Sequence, residues 1–330
     1  MKKISELKNK FILIEITYSG FGNKIFDSII GIYIKYKFGY SIYYVDRIST
    51  HNKPNEPQML DIFINLKNEF IIISEEEGAY INHILNYEKL CLKVNNLNEL
   101  LNKFVNDMII LKSTNIYNLV FDMYHSFNNK LRDIFIINQN LIDNNILSYS
   151  KTKYATIHIR YGDKLKFGIN NNKTLSFILF PIYTPEFYYK QILKIKILKL
   201  PIIILSDSIN VVKHFILEKY NLINDPDIFI LDISYINSFY LLLFSSYSVM
   251  SHSTFSYSAY LLSKHISLNK KVYIFCLTNE FYNKYKVLDL FTSPEWTFIY
   301  NKKYILNFNQ KLITKMYYYN KKYHKIISNQ

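Results

Sequence analysis

The first recognisable pattern is a short apolar, β-branched run, Phe11-Ile12-Leu13-Ile14-Glu15-Ile16-Thr17, which predicts a strand over 11–17. Gly20-Phe21-Gly22-Asn23 follows as a turn. Ile25, Phe26, Ile29, Ile30, Tyr33 and Ile34 then recur at the spacing of one helix face, until Gly39 supplies a stop. A second run, Ile42 to Val45, closes at Asp46, so this stretch reads strand, turn, helix, strand, a parallel βαβ unit. From 56 to 150 the pattern predicts helices near 57–66, 97–111 and 130–142 and a strand near 69–73. An Asn, Ser and Lys cluster at 145–152 precedes a fresh strand, Tyr154 to Arg160. It marks the expected boundary between a domain of residues 1–150 and one of residues 151–330.

The second half alternates more cleanly. Thr184-Pro185-Glu186 combines a capping hydroxyl, a proline suited to the first helical position and an early carboxylate, and predicts a helix to about 198. Strands are expected at 202–205, 228–231, 249–250 and 272–275, with helices at 211–220, 235–246 and 256–265 between them. Such alternation is the mark of a doubly wound parallel sheet, so the expected fold is α/β, with two Rossmann-like domains facing a central cleft. The Tyr, Asn and Lys-rich tail after about 300 is left open between a crossing helix and an irregular segment.

Composition narrows the class. With 330 residues, 49% of them hydrophobic and 17% aromatic, the chain is too apolar to be disordered and long enough for one or two packed domains. A formal charge of +14 would ordinarily point to a polyanionic partner. Here the excess is almost all lysine, in a chain saturated with Ile, Asn, Tyr and Phe, which is the profile an AT-rich coding sequence gives without selection for nucleic acid. The rare residues therefore carry the information. The arginines are Arg47, Arg132 and Arg160, and the seven glycines include Gly20, Gly22 and Gly162. Cys91 and Cys276 are far apart with no CxxC spacing, which predicts ordinary reduced thiols rather than a disulfide scaffold or a thiolate metal site. Glu15 interrupts the N-terminal apolar run before a signal core is reached, and no window approaches the length of a membrane span, so a soluble, cytoplasmic protein with no transmembrane segment is expected.

Four constellations could carry chemistry. Gly20-Phe21-Gly22-Asn23, between strand and helix, presents backbone amides suited to a phosphate; with Asp46 it also suggests a dinucleotide site, which Ile25 at the third glycine position opposes. In His158-Ile159-Arg160-Tyr161-Gly162-Asp163, strand alternation puts His158 and Arg160 on one face, with Arg160 at the carboxyl end. An arginine there can make paired bonds to a phosphate at any workable pH. The plain alternative is an Arg160–Asp163 ion pair closing the turn. Ser206-Asp207-Ser208 follows a buried strand and offers a carboxylate to a base or ribose, or a cap to the next helix. Ser251-His252-Ser253-Thr254-Phe255-Ser256 offers hydroxyls and helix-start amides to an anion, or only a cap. Asp225-Pro226-Asp227 matches a metal-binding DxD, but it precedes its strand instead of following one, so a proline turn is expected and no metal.

Taken in order, GxGN, HxRxGD, SD and S(S/T)FS resemble the motifs of α-1,2-fucosyltransferases and, more loosely, of the α-1,6- and protein O-fucosyltransferases, over residues 11 to about 265. The resemblance implies a GT-B architecture with an acceptor-side N-terminal domain. Its C-terminal domain would hold GDP-fucose, and inverting transfer to a glycan hydroxyl would need no metal or other cofactor. By position it implies that Arg160 holds the β-phosphate, that His158 lies near the nucleotide, and that Asp207 contacts base or ribose. Ser253, Thr254 and Phe255 would line the diphosphate pocket, and Gly22 and Asn23 would approach from the other domain. Ser208 and Asp163 complete the expected donor site with Gly20 and Phe21. The chain departs from the pattern at Tyr161, where a second basic residue is usual, at Ser208, where the family has an acidic pair, and at Tyr257, the one aromatic left of a pair. For a general base, Asp46, His51 and Asp163 stand equal.

Other classes remain open at this point: the same scaffold with another nucleotide-sugar donor, a dinucleotide-dependent oxidoreductase built on the first turn and Asp46, and a nucleic-acid binder built on the net charge. No helix-turn-helix, zinc finger or RRM-type aromatic signature supports the last of these. The expected partners are a nucleotide sugar and a glycan acceptor, not nucleic acid.

Overall fold

The computed structural model describes residues 11–15, 20–45, 57–84, 109–111, 120–170, 182–251, 253–263, 271–276, 296–300 and 309–328. The chain divides into two compact units. One is built from residues 1–141 with 289–292, the other from 142–288 with 293–330. Each contains a parallel sheet with helices packed on it, an α/β architecture.

The first unit carries β1 (Phe11–Glu15), α1 (Phe21–Phe38), β2 (Ser41–Val45), α2 (Met59–Ile62), β3 (Ile71–Ile73), α3 (Glu75–Ile84), β4 (Ile109–Leu111), α4 (Val120–Ser126) and α5 (Asn128–Ile134). Its strands lie parallel in the order β3-β2-β1-β4. α1 packs against β1, β2 and α4, which buries it from Phe21 to Ile34 apart from the partly covered Asn23. Tyr33 meets Phe127 edge to face at 5.1 Å, and Phe21 stacks on Phe63 at 6.0 Å. The helix stops at Gly39, whose φ of 72° lets its N–H reach back 2.9 Å to the Lys35 carbonyl.

Two expectations for this half are corrected. Residues 109–111, predicted as the end of a helix, form β4 and pair in register with Ile12–Ile14; residues 97–108 lie outside the described residues. The helix expected over 130–142 ends at Ile134. Beyond it the Ile64 N–H donates to the Ile136 carbonyl at 3.0 Å and the Asn138 N–H to the Ile62 carbonyl at 2.7 Å, so pairing with another segment wins over local helical bonding.

The second unit runs α6 (Asn144–Tyr149), β5 (Ala155–Ile159), α7 (Gly162–Asn170), α8 (Pro185–Ile197), β6 (Ile202–Ser206), α9 (Ile209–Val212), β7 (Ile228–Ile230), α10 (Tyr235–Phe244), β8 (Tyr247–Met250), α11 (Thr254–Ser263), β9 (Lys271–Cys276), β10 (Trp296–Tyr300) and α12 (Gln310–Ser328). α9 continues as a π-helical stretch over Lys213–Glu218. All six strands are parallel in the order β10-β9-β8-β5-β6-β7. β5 is buried throughout, as a central parallel strand must be when helices cover both faces. Sequence order runs outward from β5 to β6 and β7, then returns to the other side at β8. The direction of winding therefore reverses between β5 and β8, where open α/β sheets form their ligand crevice.

Local signals hold where they were strongest. The Thr184 hydroxyl accepts the Phe187 N–H at 3.3 Å and Pro185 occupies the first position of α8. Between β5 and β8 the Thr156, Ser245 and Ser248 hydroxyls bond one another at 2.8–3.0 Å, so none is left unsatisfied in the core. The C-terminal tail carries α12, which belongs to this unit and packs on α7 and α9, with Ile313 and Met316 fully buried and Tyr319 edge-on to Phe215 at 5.4 Å. Among the described residues no helix is long and apolar enough to cross a membrane.

Because α12 closes the core beneath α7, Met316→Ala is expected to cost the second unit about 2–5 kcal/mol. Thermal unfolding followed by circular dichroism checks this; an unchanged midpoint would show that α12 is not part of the core.

Candidate functional site

The carboxyl ends of β5, β6, β7 and β8 share one edge of the six-stranded sheet, because the strands pair parallel and nearly in register, Ile159 opposite Ser206 and Ile157 opposite Val249. That edge gathers Arg160 after β5, Asp207 and Ser208 after β6, Asp232 shortly after β7, and Ser251 and Ser253 after β8. Residues separated by more than ninety positions thus meet at the point where the winding reverses.

Asp207 organises the edge. Its Oδ1 accepts the Tyr161 N–H at 2.9 Å and the Gly162 N–H at 3.0 Å, capping α7 from a neighbouring strand end. A Cβ on residue 162 would sit 2.7 Å from Oδ2, so this close approach requires glycine. Desolvation raises the Asp207 pKa, while the Gly162 N–H, the Arg160 charge and the Tyr161 N–H pull it down and Asp163 adds to the rise. The residue as a whole keeps solvent contact, and one of its oxygens holds two backbone donors. The Tyr161 side chain is fully buried, and its hydroxyl donates to the Tyr183 carbonyl at 3.0 Å. Position 161, where the resembled motif carries a second cation, therefore anchors the turn in the core.

Arg160 stands at the mouth of this turn with its side chain 30% exposed. Nε and Nη2 donate to the two Asp163 oxygens at 3.3 and 3.2 Å, and Nη1 donates across the β5–β8 crevice to Ser253 Oγ at 3.2 Å. The ion pair foreseen as the plain alternative is present. Its forked geometry is also the one by which a guanidinium takes a phosphate, and the Ser253 hydroxyl lies beside it at the start of α11.

Under the turn, His158 is buried, and Ser251 Oγ lies 2.8 Å from its Nδ1. Burial, then the Arg160 charge, pushes its pKa down to about 3, so the ring is neutral at physiological pH. Its ring also packs against Phe255, with centroids 5.6 Å apart. The Ser251 N–H donates to the His158 carbonyl at 3.1 Å, and Ser256 Oγ donates to the Ser251 and Ser253 carbonyls, so the segment leading into α11 is fixed to β5. Thr254 opens α11 and is half-buried. Ser208 is buried, with its Oγ lacking a hydrogen-bond partner; its N–H donates to Ser206 Oγ at 3.0 Å.

Gly20, Phe21, Gly22 and Asn23 belong to the first unit, at the start of α1, where the Asn23 and Lys24 N–H groups return to the Gly20 carbonyl. Asp46, His51, Cys91 and His252 lie outside the described residues. The Asp225-Pro226-Asp227 segment sits at the opposite edge of the second sheet, before β7, where Asp225 pairs with Lys196; among the described residues no cluster of His, Cys, Asp or Glu is arranged to hold a metal ion. Two residues were missed from sequence. Lys164, in the first turn of α7, has a pKa pushed down to about 8 by burial and by Arg160, against the pull of Asp163 and Asp207. Asp232 joins the edge only through the pairing of β6 with β7. A basic residue one helical turn beyond Arg160 was the available signal for the first.

No protein-family model and no curated protein matches the sequence. Among solved structures, the chain is similar to NodZ α-1,6-fucosyltransferase co-crystallised with GDP at 14% identity and a TM-score of 0.48, over 78% of this chain and 93% of that one. It is similar to fucosyltransferase NodZ from Bradyrhizobium at 14% identity and a TM-score of 0.47, over 78% and 94%. It is also similar to POFUT1 in complex with GDP-fucose at 10% identity and a TM-score of 0.39, over 81% and 97%. Likeness at this level leaves the chemistry of the edge to be read from its own geometry.

Two outcomes follow. Gly162→Ala should displace the Asp207 carboxylate and cost about 1–3 kcal/mol, measured by denaturant unfolding; unaltered stability would mean that the turn has room to spare. His158 carries a folded pKa near 3 against an ordinary value near 6.5, so the unfolded state binds the extra proton. Its contribution is whole above about pH 6.5 and falls by up to about 1.4 kcal/mol per unit as pH drops towards 3. Thermal midpoints of His158→Asn should vary less with pH over that window than those of the parent protein.

Proposed function

We propose that the protein is a glycosyltransferase that moves fucose from GDP-fucose to a glycan hydroxyl, on a GT-B-like scaffold and without a metal. The observation that carries this reading is the Arg160 guanidinium spanning the β5–β8 crevice to Ser253, beside the amino end of α11. In sugar transfer the bond from the anomeric carbon to the β-phosphate oxygen breaks as the bond to the acceptor oxygen forms, and charge grows on the departing diphosphate. A fixed guanidinium, a hydroxyl and helix-start amides stabilise that charge where it develops, which lowers the barrier directly. Attack from the face opposite the leaving group inverts the anomeric centre.

Asp163 takes a second part. A β-phosphate entering the Arg160 fork displaces its carboxylate, which then stands beside the reacting centre as acceptor for the proton of the attacking hydroxyl. Neutral, buried His158 orients the Ser251 segment and carries no proton in the step. Asp207 Oδ1 is committed to two backbone N–H groups, and Asp232, exposed at the same edge, offers a carboxylate to the adjacent N–H donors of guanine. The α-1,2 linkage is the form of transfer that the ordered motifs resemble.

Arg160→Ala is expected to lower kcat about 100- to 1000-fold with folding retained, measured by release of GDP from GDP-fucose with a glycan acceptor. In thermal-shift titrations GDP should stabilise the protein and UDP and dTDP should not, and Asp232→Asn should erase that preference. Asp163→Asn, which removes a competitor from the Arg160 fork, should bind GDP up to about fivefold more tightly while losing turnover. Full turnover in Arg160→Ala would overturn the assignment, and stabilisation by UDP alone would overturn the donor.

A further inference from the structure

At the sheet edge opposite the candidate site, the end of α8 leaves aliphatic side chains in water. Ile197 is 79% exposed, Leu198 47% and Leu193 41%. Leu193 and Ile197 stand one turn apart on the outward face of α8, and Leu198 follows as the chain turns towards β6. Lys194 and Lys199 flank them and are exposed. The Ala155 N–H bonds to the Pro201 carbonyl at 2.8 Å, which brings the exposed Lys151 and Lys153 alongside. Of the acids at this edge, Asp225 is paired with Lys196, while Asp227 is exposed before β7.

We propose that this edge docks the protein on an anionic lipid bilayer. The match is one of charge and polarity together. Lysines beside an anionic surface are each worth about 1 kcal/mol, and branched aliphatic side chains gain by entering the boundary between headgroups and acyl chains. A nucleic acid would engage the lysines and gain nothing from Ile197, Leu198 or Leu193, which offer neither hydrogen bonds nor a stacking face. The residues concerned lie at the opposite sheet edge from Arg160, so docking leaves the candidate crevice outside the contact and is independent of the proposed chemistry.

The test is co-sedimentation of the full chain with phosphatidylcholine vesicles, with and without phosphatidylglycerol. The protein should pellet with the anionic vesicles and stay in solution with the neutral ones. Lys194→Gln with Lys199→Gln should lower partitioning about 25-fold, roughly fivefold for each lysine. Ile197→Ser should lower it severalfold with an unchanged melting curve. The proposal is overturned if the parent protein ignores anionic vesicles, or if it binds duplex DNA with the same lysine dependence while Ile197→Ser has no effect on vesicles. It is equally overturned if the protein self-associates without lipid and Ile197→Ser abolishes that association, which would make the patch a contact between copies.

Discussion

The second unit depends on one shared oxygen. Asp207 Oδ1 accepts two consecutive backbone N–H groups at the end of β5, and with Gly162 pressed against the same carboxylate the turn has little freedom to open. The turn that carries Arg160 is held by this clamp. It starts α7, sets where Arg160 leaves the strand, and holds Lys164 among two acids and another cation. A carboxylate acceptor on orphan helix amides is among the stronger single contacts available to a fold, and its loss would leave two backbone donors unpaired as well as releasing the turn.

The consequence is a preorganised cation. Arg160 is held by Asp163 from its own turn and by Ser253 from the far side of the crevice, while His158 and Ser251 brace the segment that presents Ser253. Asp163 satisfies the guanidinium much as a phosphate would. An exposed pair of this kind contributes at most about 1 kcal/mol, so under the proposed function a diphosphate would meet a small penalty in replacing it. A site built this way keeps its arginine pointed at the crevice and yields it readily.

Much of the second sheet is legible: Ile202 to Leu205 reads as the unbroken aliphatic run of a buried parallel strand, Tyr154 to Arg160 shows strand alternation, and the Thr184-Pro185 helix start announces itself. What escaped was decided by distant partners. α7 begins at Gly162 because a carboxylate 45 residues later caps it, which no local window contains. The sequence leaves Asp207 open between a ligand contact and a cap for the helix that follows it; the structure adds a third use, Oδ1 capping α7. Residues 109–111 look helical by continuity with what precedes them and become a strand because β1 offers an open edge. Tyr161, which stands where the resembled motif has a second cation, has its side chain turned into the core, and Lys164 is a further cation beside Arg160.

The central question is whether the Arg160 fork is a phosphate seat. The most direct measurement is the crystal structure of the protein with GDP. It should show the β-phosphate on the Arg160 guanidinium and the Ser253 hydroxyl, with Asp163 released and the Asp207 clamp unmoved. GDP bound elsewhere, with Arg160 still paired to Asp163, would contradict it.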